Sequence, residues 1–170
     1  MNNAYSAQKF HEKNLNYSKI AFEKGNLVPH RYVLVLTNLC NLACSFCFQE
    51  RKKNADRMSK DDWLKFISEM PKDSRITLTG GEPLAYKGFK EIFIKANEHN
   101  YTNIITNGTL LNDDFFDLFL SEKNFKVLSI SIDTIGNVNR DFKIGQWEKL
   151  LENLKSFKKK IIEQKSDIVI

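Results

Sequence analysis

Short apolar runs alternate with longer amphipathic ones along this chain. Arg31–Thr37, Arg75–Thr79, Asn103–Thr106 and Lys126–Ile132 are compact and mostly apolar, and predict strands. The segments between them predict helices. Ser59 caps one that runs to about Glu69, with Asp62 three residues on as its capping-box partner. Phe89–Glu98 is a second. Asn112 caps a third, rich in Phe115, Phe116, Leu118, Phe119 and Leu120. The fourth, Gln146–Gln164, carries Trp147, Leu150, Leu151, Leu154, Phe157 and Ile161 at helical spacing. Asp167–Ile170 begins a fifth strand.

Strands alternating with helices imply an α/β fold with a parallel sheet and right-handed crossovers. Strands this apolar are expected when both faces of the sheet are buried. Residues 1–30 are polar, helical between Ala7 and Lys24 with a stop at Gly25, and read as an N-terminal extension. No linker or repeat divides the remainder, so residues 31–170 read as one domain. Its last run, Asp167–Ile170, is a buried-strand pattern with no turn or helix after it. The domain is therefore expected to be incomplete, cut at about the fifth strand.

Composition narrows the setting. The 170 residues are 42% hydrophobic, enough for one domain with a core. Met1–Lys9 has no apolar stretch of signal-peptide type, and no apolar run approaches the roughly 20 residues that cross a membrane. The net charge of +5 is mild. Part of it lies in Lys155, Lys158, Lys159 and Lys160, which suit a solvated helix end better than a nucleic-acid or membrane patch. The expected setting is cytoplasmic, with neither nucleic acid nor membrane as partner.

The cysteine content changes the picture most. All three cysteines, Cys40, Cys44 and Cys47, fall within eight residues directly after the first strand. An odd, clustered set does not make a disulfide framework and fits a reducing compartment. Zinc would want a fourth Cys or His, and His11, His30 and His99 offer no matching pair. Three thiolates can hold three irons of a [4Fe–4S] cube and leave the fourth iron open to a substrate. The competing reading is three small core residues, which Asn41, Ser45 and the loop position disfavour.

Each later strand also ends in polar or glycine-rich sequence, and ligands of parallel α/β folds bind at the carboxyl ends of strands. Thr79-Gly80-Gly81-Glu82-Pro83 follows the second. Its glycines allow close backbone approach, and Glu82 would put a carboxylate at the rim. Thr106-Asn107-Gly108 follows the third, and taken alone is equally a plain turn. Ser131 and Asp133 share one side of the fourth strand, suited to a ribose or to each other.

Together these motifs resemble the radical S-adenosylmethionine (SAM) enzymes. Cys40-x3-Cys44-x-Phe46-Cys47 matches their cysteine signature, and Gly80-Gly81-Glu82-Pro83 their second motif. The flavour Cys-Asn-Leu-x-Cys-x-Phe-Cys-Phe, with Thr-Asn-Gly-Thr-Leu-Leu later, is similar to the branch that modifies peptides and proteins (the SPASM-type or sulfatase-maturase-like members). The resemblance implies a partial (βα)6 TIM-like barrel. It implies a [4Fe–4S] cluster on Cys40, Cys44 and Cys47, with SAM chelating the open iron. Gly80, Gly81 and Glu82 would receive the SAM ammonium, and Phe46 would lie near the adenine. Ser131 and Asp133 would face the ribose or the methionine carboxylate, and Asn107 is a further candidate. The implied activity is that of an oxidoreductase: reductive cleavage of SAM to a 5′-deoxyadenosyl radical, which takes hydrogen from a peptide or protein side chain. An electron donor such as flavodoxin or ferredoxin would supply the electron. The alternative is a non-catalytic module that binds cluster and SAM, or a scaffold that depends on a partner. No cysteine lies beyond Cys47, so the chain offers none for auxiliary clusters.

Overall fold

A computed structural model describes residues 3–25, 29–49 and 58–170. Residues 1, 2 and 26–28 of the expected N-terminal extension lie outside the described residues. The chain order is α1 (Asn3–Glu23), β1 (Arg31–Val35), α2 (Lys60–Ser68), β2 (Arg75–Thr79), α3 (Phe89–Asn97), β3 (Tyr101–Thr106), α4 (Asp113–Ser121), β4 (Phe125–Ile130) and α5 (Gln146–Glu163). The strands are parallel and lie side by side in sequence order. Parallel neighbours need a crossover each, and α2 to α4 provide them.

Local sequence sets the helix starts. Ser59 Oγ accepts the Asp62 N–H at 3.1 Å, and the Ser59 N–H reaches Asp62 Oδ2 at 3.2 Å, closing the predicted capping box. Asn112 Oδ1 takes the Phe115 N–H at 3.1 Å at the head of α4. The core lies between the helices and one face of the sheet. Leu34, Ile76, Leu78, Ile104 and Leu128 meet Trp63, Ile67, Ile92, Phe93, Phe116, Phe119 and Phe157 there. Phe93, Phe119 and Phe125 have ring centroids 4.9–5.2 Å apart, and Phe116 stacks on Phe157 at 4.3 Å.

The other face corrects the sequence reading. Val33, Val35 and Ile105 are 52%, 47% and 40% exposed. Residues on this side alternate with buried ones along β1, so the face away from the helices is open at these three positions. The same face carries Thr77, Thr79 and Asn103, of which Thr77 and Asn103 are buried and joined at 2.8 Å. A sheet wound in one direction with helices on one side is a section of barrel wall, and the open face is the barrel interior. The expected fifth strand is present as a short parallel bridge. Val169 N–H donates to Lys126 O and Leu128 N–H to Val169 O, at 2.9 and 2.8 Å. The fourth strand ends at Ile130, two residues earlier than expected. The helix-end lysines are partly engaged: Lys160 lies 2.9 Å from both Asp113 and Asp117 on α4. Among the described residues no helix is long and apolar enough to cross a membrane.

Candidate active site

The loops that leave the carboxyl ends of the four strands surround one open cavity of about 210 Å³. Cys40, Cys44 and Cys47 come from the loop after β1, Gly80 and Gly81 from that after β2, Asn107 from that after β3 and Ser131 from that after β4. The register of the sheet brings them together. Leu36 N–H donates to Thr79 O at 2.9 Å, Gly81 N–H to Thr37 O at 2.7 Å, and Glu82 N–H to Leu39 O at 2.9 Å. These bonds carry the β1–β2 ladder past the strands and lay the two loops against each other.

That approach is what the glycines permit. A Cβ on Gly80 would sit 2.5 Å from Thr37 O, where φ is already +151°. One on Gly81 would sit 2.3 Å from Leu39 O. Both obstacles are backbone, so neither can swing away.

In the cysteine loop, Leu42 is buried beneath the cavity lining, and Cys47 N–H closes onto Cys44 O at 3.2 Å. Cys40 and Cys44 are half-buried and Cys47 is exposed, and none is joined in a disulfide. Partial exposure on a cavity wall removes the reading of the three as core residues. Among the described residues no three cysteine, histidine or acidic side chains converge to hold a single metal ion. A cube that takes one thiolate on each of three irons does not require such convergence. The donor set, three thiols and an open cavity in front of them, fits a cluster of that kind.

Glu82 is not at the rim. It is 0% exposed and lies behind the glycine loop. Its Oε1 accepts from Thr106 Oγ1 at 2.7 Å and Leu84 N at 3.1 Å, and its Oε2 from Asn107 N at 2.8 Å. Burial pushes its carboxyl above the ordinary range, and these three donors pull it partly back. The side chain braces the β2 loop against the β3 loop, and the expectation that it faces the cavity is corrected accordingly. Asp133 also stays off the cavity wall. Because β4 ends at Ile130, Asp133 turns to Arg140, with Nε 2.7 Å from its Oδ2.

Arg140 is the residue that sequence reasoning missed. It lines the cavity, and its guanidinium lies 5.4 Å from the centroid of the Phe46 ring. It is the only basic side chain on that wall among the described residues. Asp141, next to it, takes the Ala43 N–H at 3.1 Å and ties this segment back to the cysteine loop. Neither sits in a periodic run, so only the arginine's isolation in a polar loop could have marked it.

Residues 34–170 match the family model described as the radical SAM superfamily. The sporulation killing factor maturation protein SkfB of Bacillus subtilis (strain 168) is 32% identical over 136 residues, covering 78% of this chain and 33% of that protein. The GTP 3′,8-cyclase of Clostridium perfringens (strain 13 / Type A) is 30% identical over 146 residues, covering 79% of this chain and 45% of that one. Among solved structures, Streptococcus suis SuiB bound to precursor peptide SuiA superposes with a TM-score of 0.61 at 19% identity, covering 91% of this chain and 42% of SuiB. The chain thus spans a third to a half of the length of these relatives.

Proposed function

The chain belongs to the radical SAM superfamily, and from that premise we propose that it forms the cluster- and SAM-binding core of an enzyme acting on a peptide or protein side chain. Family membership implies a [4Fe–4S] cluster and SAM as cofactors. Residues 31–170 make up the core, with residues 1–30 as an extension. The observation that carries the reading is the set of three cysteine thiols on a cavity that is also lined by the glycine backbone of Gly80 and Gly81.

When bound, the two cofactors supply reductive cleavage of SAM and hydrogen abstraction by the resulting 5′-deoxyadenosyl radical. The chain's own residues hold and orient. Cys40, Cys44 and Cys47 ligate iron. The backbone around Gly80 and Gly81 presents carbonyl oxygens to the ammonium group of SAM. Arg140, held by Asp133, brings a cation to the cavity wall, and Phe46 offers a flat apolar surface to an adenine. Ser131, with its backbone N–H fixed on Thr106 O at 2.9 Å, is set to hydrogen-bond a ribose. Holding the groups in one geometry removes much of the entropic barrier to reaction. The peptide class of substrate is supported by SuiB, a structural neighbour bound to a precursor peptide, and by SkfB, named for maturation of a killing factor.

Anaerobic reconstitution tests the reading. The chain should take up about four irons, SAM should perturb the paramagnetic resonance spectrum of the reduced cluster, and 5′-deoxyadenosine should form. Zinc bound in preference to iron, or a Cys44→Ala variant with an unchanged cluster, would refute it. Full iron content without 5′-deoxyadenosine would identify a binding module instead.

A further inference from the structure

Asn107 is nearly buried, at 5% exposed, yet its side-chain amide faces the first cysteine. Asn107 Nδ2 donates to Cys40 Sγ at 3.7 Å and to Asn41 Oδ1 at 3.0 Å. The Leu42 backbone N–H donates to the same sulfur at 3.4 Å. The orientation of the amide follows from its neighbours. The Thr109 backbone N–H can only donate, and it meets Asn107 Oδ1 at 2.9 Å. The oxygen must therefore lie on that side, and the NH2 group on the side of the sulfur. Thr109 Oγ1 donates to the same oxygen at 2.6 Å and accepts from Asn41 Nδ2 at 2.7 Å. Asn41, Asn107 and Thr109 thus close a ring in which each donor has an acceptor. Behind the ring, Glu82 Oε2 holds the Asn107 backbone N–H.

The geometry points to Asn107 as a side chain that raises the reduction potential of an iron–sulfur cluster on Cys40. The inference rests on the reading of the three cysteines as cluster ligands. One electron from a donor of the flavodoxin or ferredoxin class adds one negative charge to the cluster and its thiolates. No bond breaks and no proton moves. A hydrogen bond to sulfur strengthens as that charge grows, because charged acceptors bind donors more tightly than neutral ones. The reduced state gains more from Asn107 than the oxidised state does, and the potential rises. The ring and the Glu82 brace hold the donor in place beforehand, so the gain is not spent on ordering the side chain.

The experiment is a spectroelectrochemical measurement of midpoint potential on the reconstituted chain, with iron and sulfide counted in every sample. Asn107→Leu keeps the volume and removes the donor. The reduced-to-oxidised ratio at fixed potential should fall by up to about tenfold, a shift of about 59 mV to the negative for one electron. Asn107→Asp, which places an acceptor beside the sulfur, should shift it further in the same direction. Thr109→Val keeps the backbone N–H and removes only the hydroxyl of the ring, so it should give a smaller negative shift, and it carries the test where Asn107→Leu does not take up iron. Mere loosening of the site would act oppositely, since water entering around the cluster favours the more highly charged reduced state. An unchanged or raised potential in variants with a full cluster overturns the inference and leaves the cluster assignment standing. A wild-type chain that takes up no iron–sulfur cluster overturns both.

Discussion

Substitution of Gly81 by alanine should part the cysteine loop from the β2 loop. The new Cβ would lie 2.3 Å from Leu39 O, 2.6 Å from Leu39 C and 2.8 Å from Asn38 O, about 1 Å short of ordinary contact. All three obstacles are backbone, so the loops themselves must separate. The separation breaks the bonds that join them, Glu82 N–H to Leu39 O at 2.9 Å and Gly81 N–H to Thr37 O at 2.7 Å. Overpacking costs about 1–3 kcal/mol, and each lost backbone bond about 0.5–1.5 kcal/mol. Together they amount to roughly 2–6 kcal/mol. For a domain of this size each kcal/mol lowers the melting temperature by roughly 2–4 °C. Thermal unfolding of the iron-free chain should therefore drop by roughly 5–20 °C, and reconstitution should yield less bound iron. Gly145→Ala is the control, because a Cβ there meets nothing within 4 Å and only backbone strain is added. A Gly81→Ala chain that melts with the wild type and binds iron equally well would refute the close approach of the two loops.

Two further outcomes test the packing and the buried carboxylate. Phe119→Ala empties the centre of an aromatic cluster, with Phe93, Phe125 and Phe157 at 5.2, 4.9 and 6.2 Å, and should cost about 3–5 kcal/mol in urea unfolding; a loss under about 1 kcal/mol would contradict the core assignment. Burial holds the folded-state pKa of Glu82 above its unfolded value, so the folded chain binds the proton more tightly and stability falls as pH rises between the two. Below the unfolded value and above the folded one Glu82 contributes no slope. Glu82→Gln should remove that falling limb, and parallel pH curves for the two chains would show that burial does not govern this carboxyl.

Much of the fold was legible because its signals are local. The Ser59–Asp62 box and the Asn112 cap act within one turn of the chain, and both form where the sequence places them. The β2 run coincides with its expected limits for the same reason, as an apolar run closed by Gly80-Gly81. What the sequence could not convey is direction. Apolar residues at Val33, Val35 and Ile105 look like buried strand, and only the course of the helices over one side of the sheet decides that they face an open interior. Glu82 carries the same ambiguity on a smaller scale. A carboxylate in a glycine loop can point to the cavity or behind it, and the donors that draw it behind, Thr106 and the Asn107 N–H, lie 24 and 25 residues away. Arg140 depends on Asp133 and Phe46, again through contacts that no periodicity announces.

The same long-range bonds explain how four irregular loops can hold a site in place. Gly81 N–H reaches back to Thr37 in the loop after β1, and the Asn107 N–H to Glu82 in the loop after β2. Ser131 N–H reaches Thr106 at the end of β3, and Ala43 N–H reaches Asp141 beyond β4. The last bond returns to the cysteine loop, so the four segments close a circuit around the cavity. Every donor in it is a backbone N–H, which any residue but proline supplies. The acceptors are backbone oxygens at two of the four crossings and carboxylates at the other two, Glu82 and Asp141. The circuit therefore places strict demands on few side chains, the two glycines that let the first crossing form and the two acids that complete the second and fourth. A chain can diverge widely in its strands and keep such a rim. The cavity's chemistry is then set by what the circuit carries inward, the three thiols, Asn107, Ser131 and Arg140.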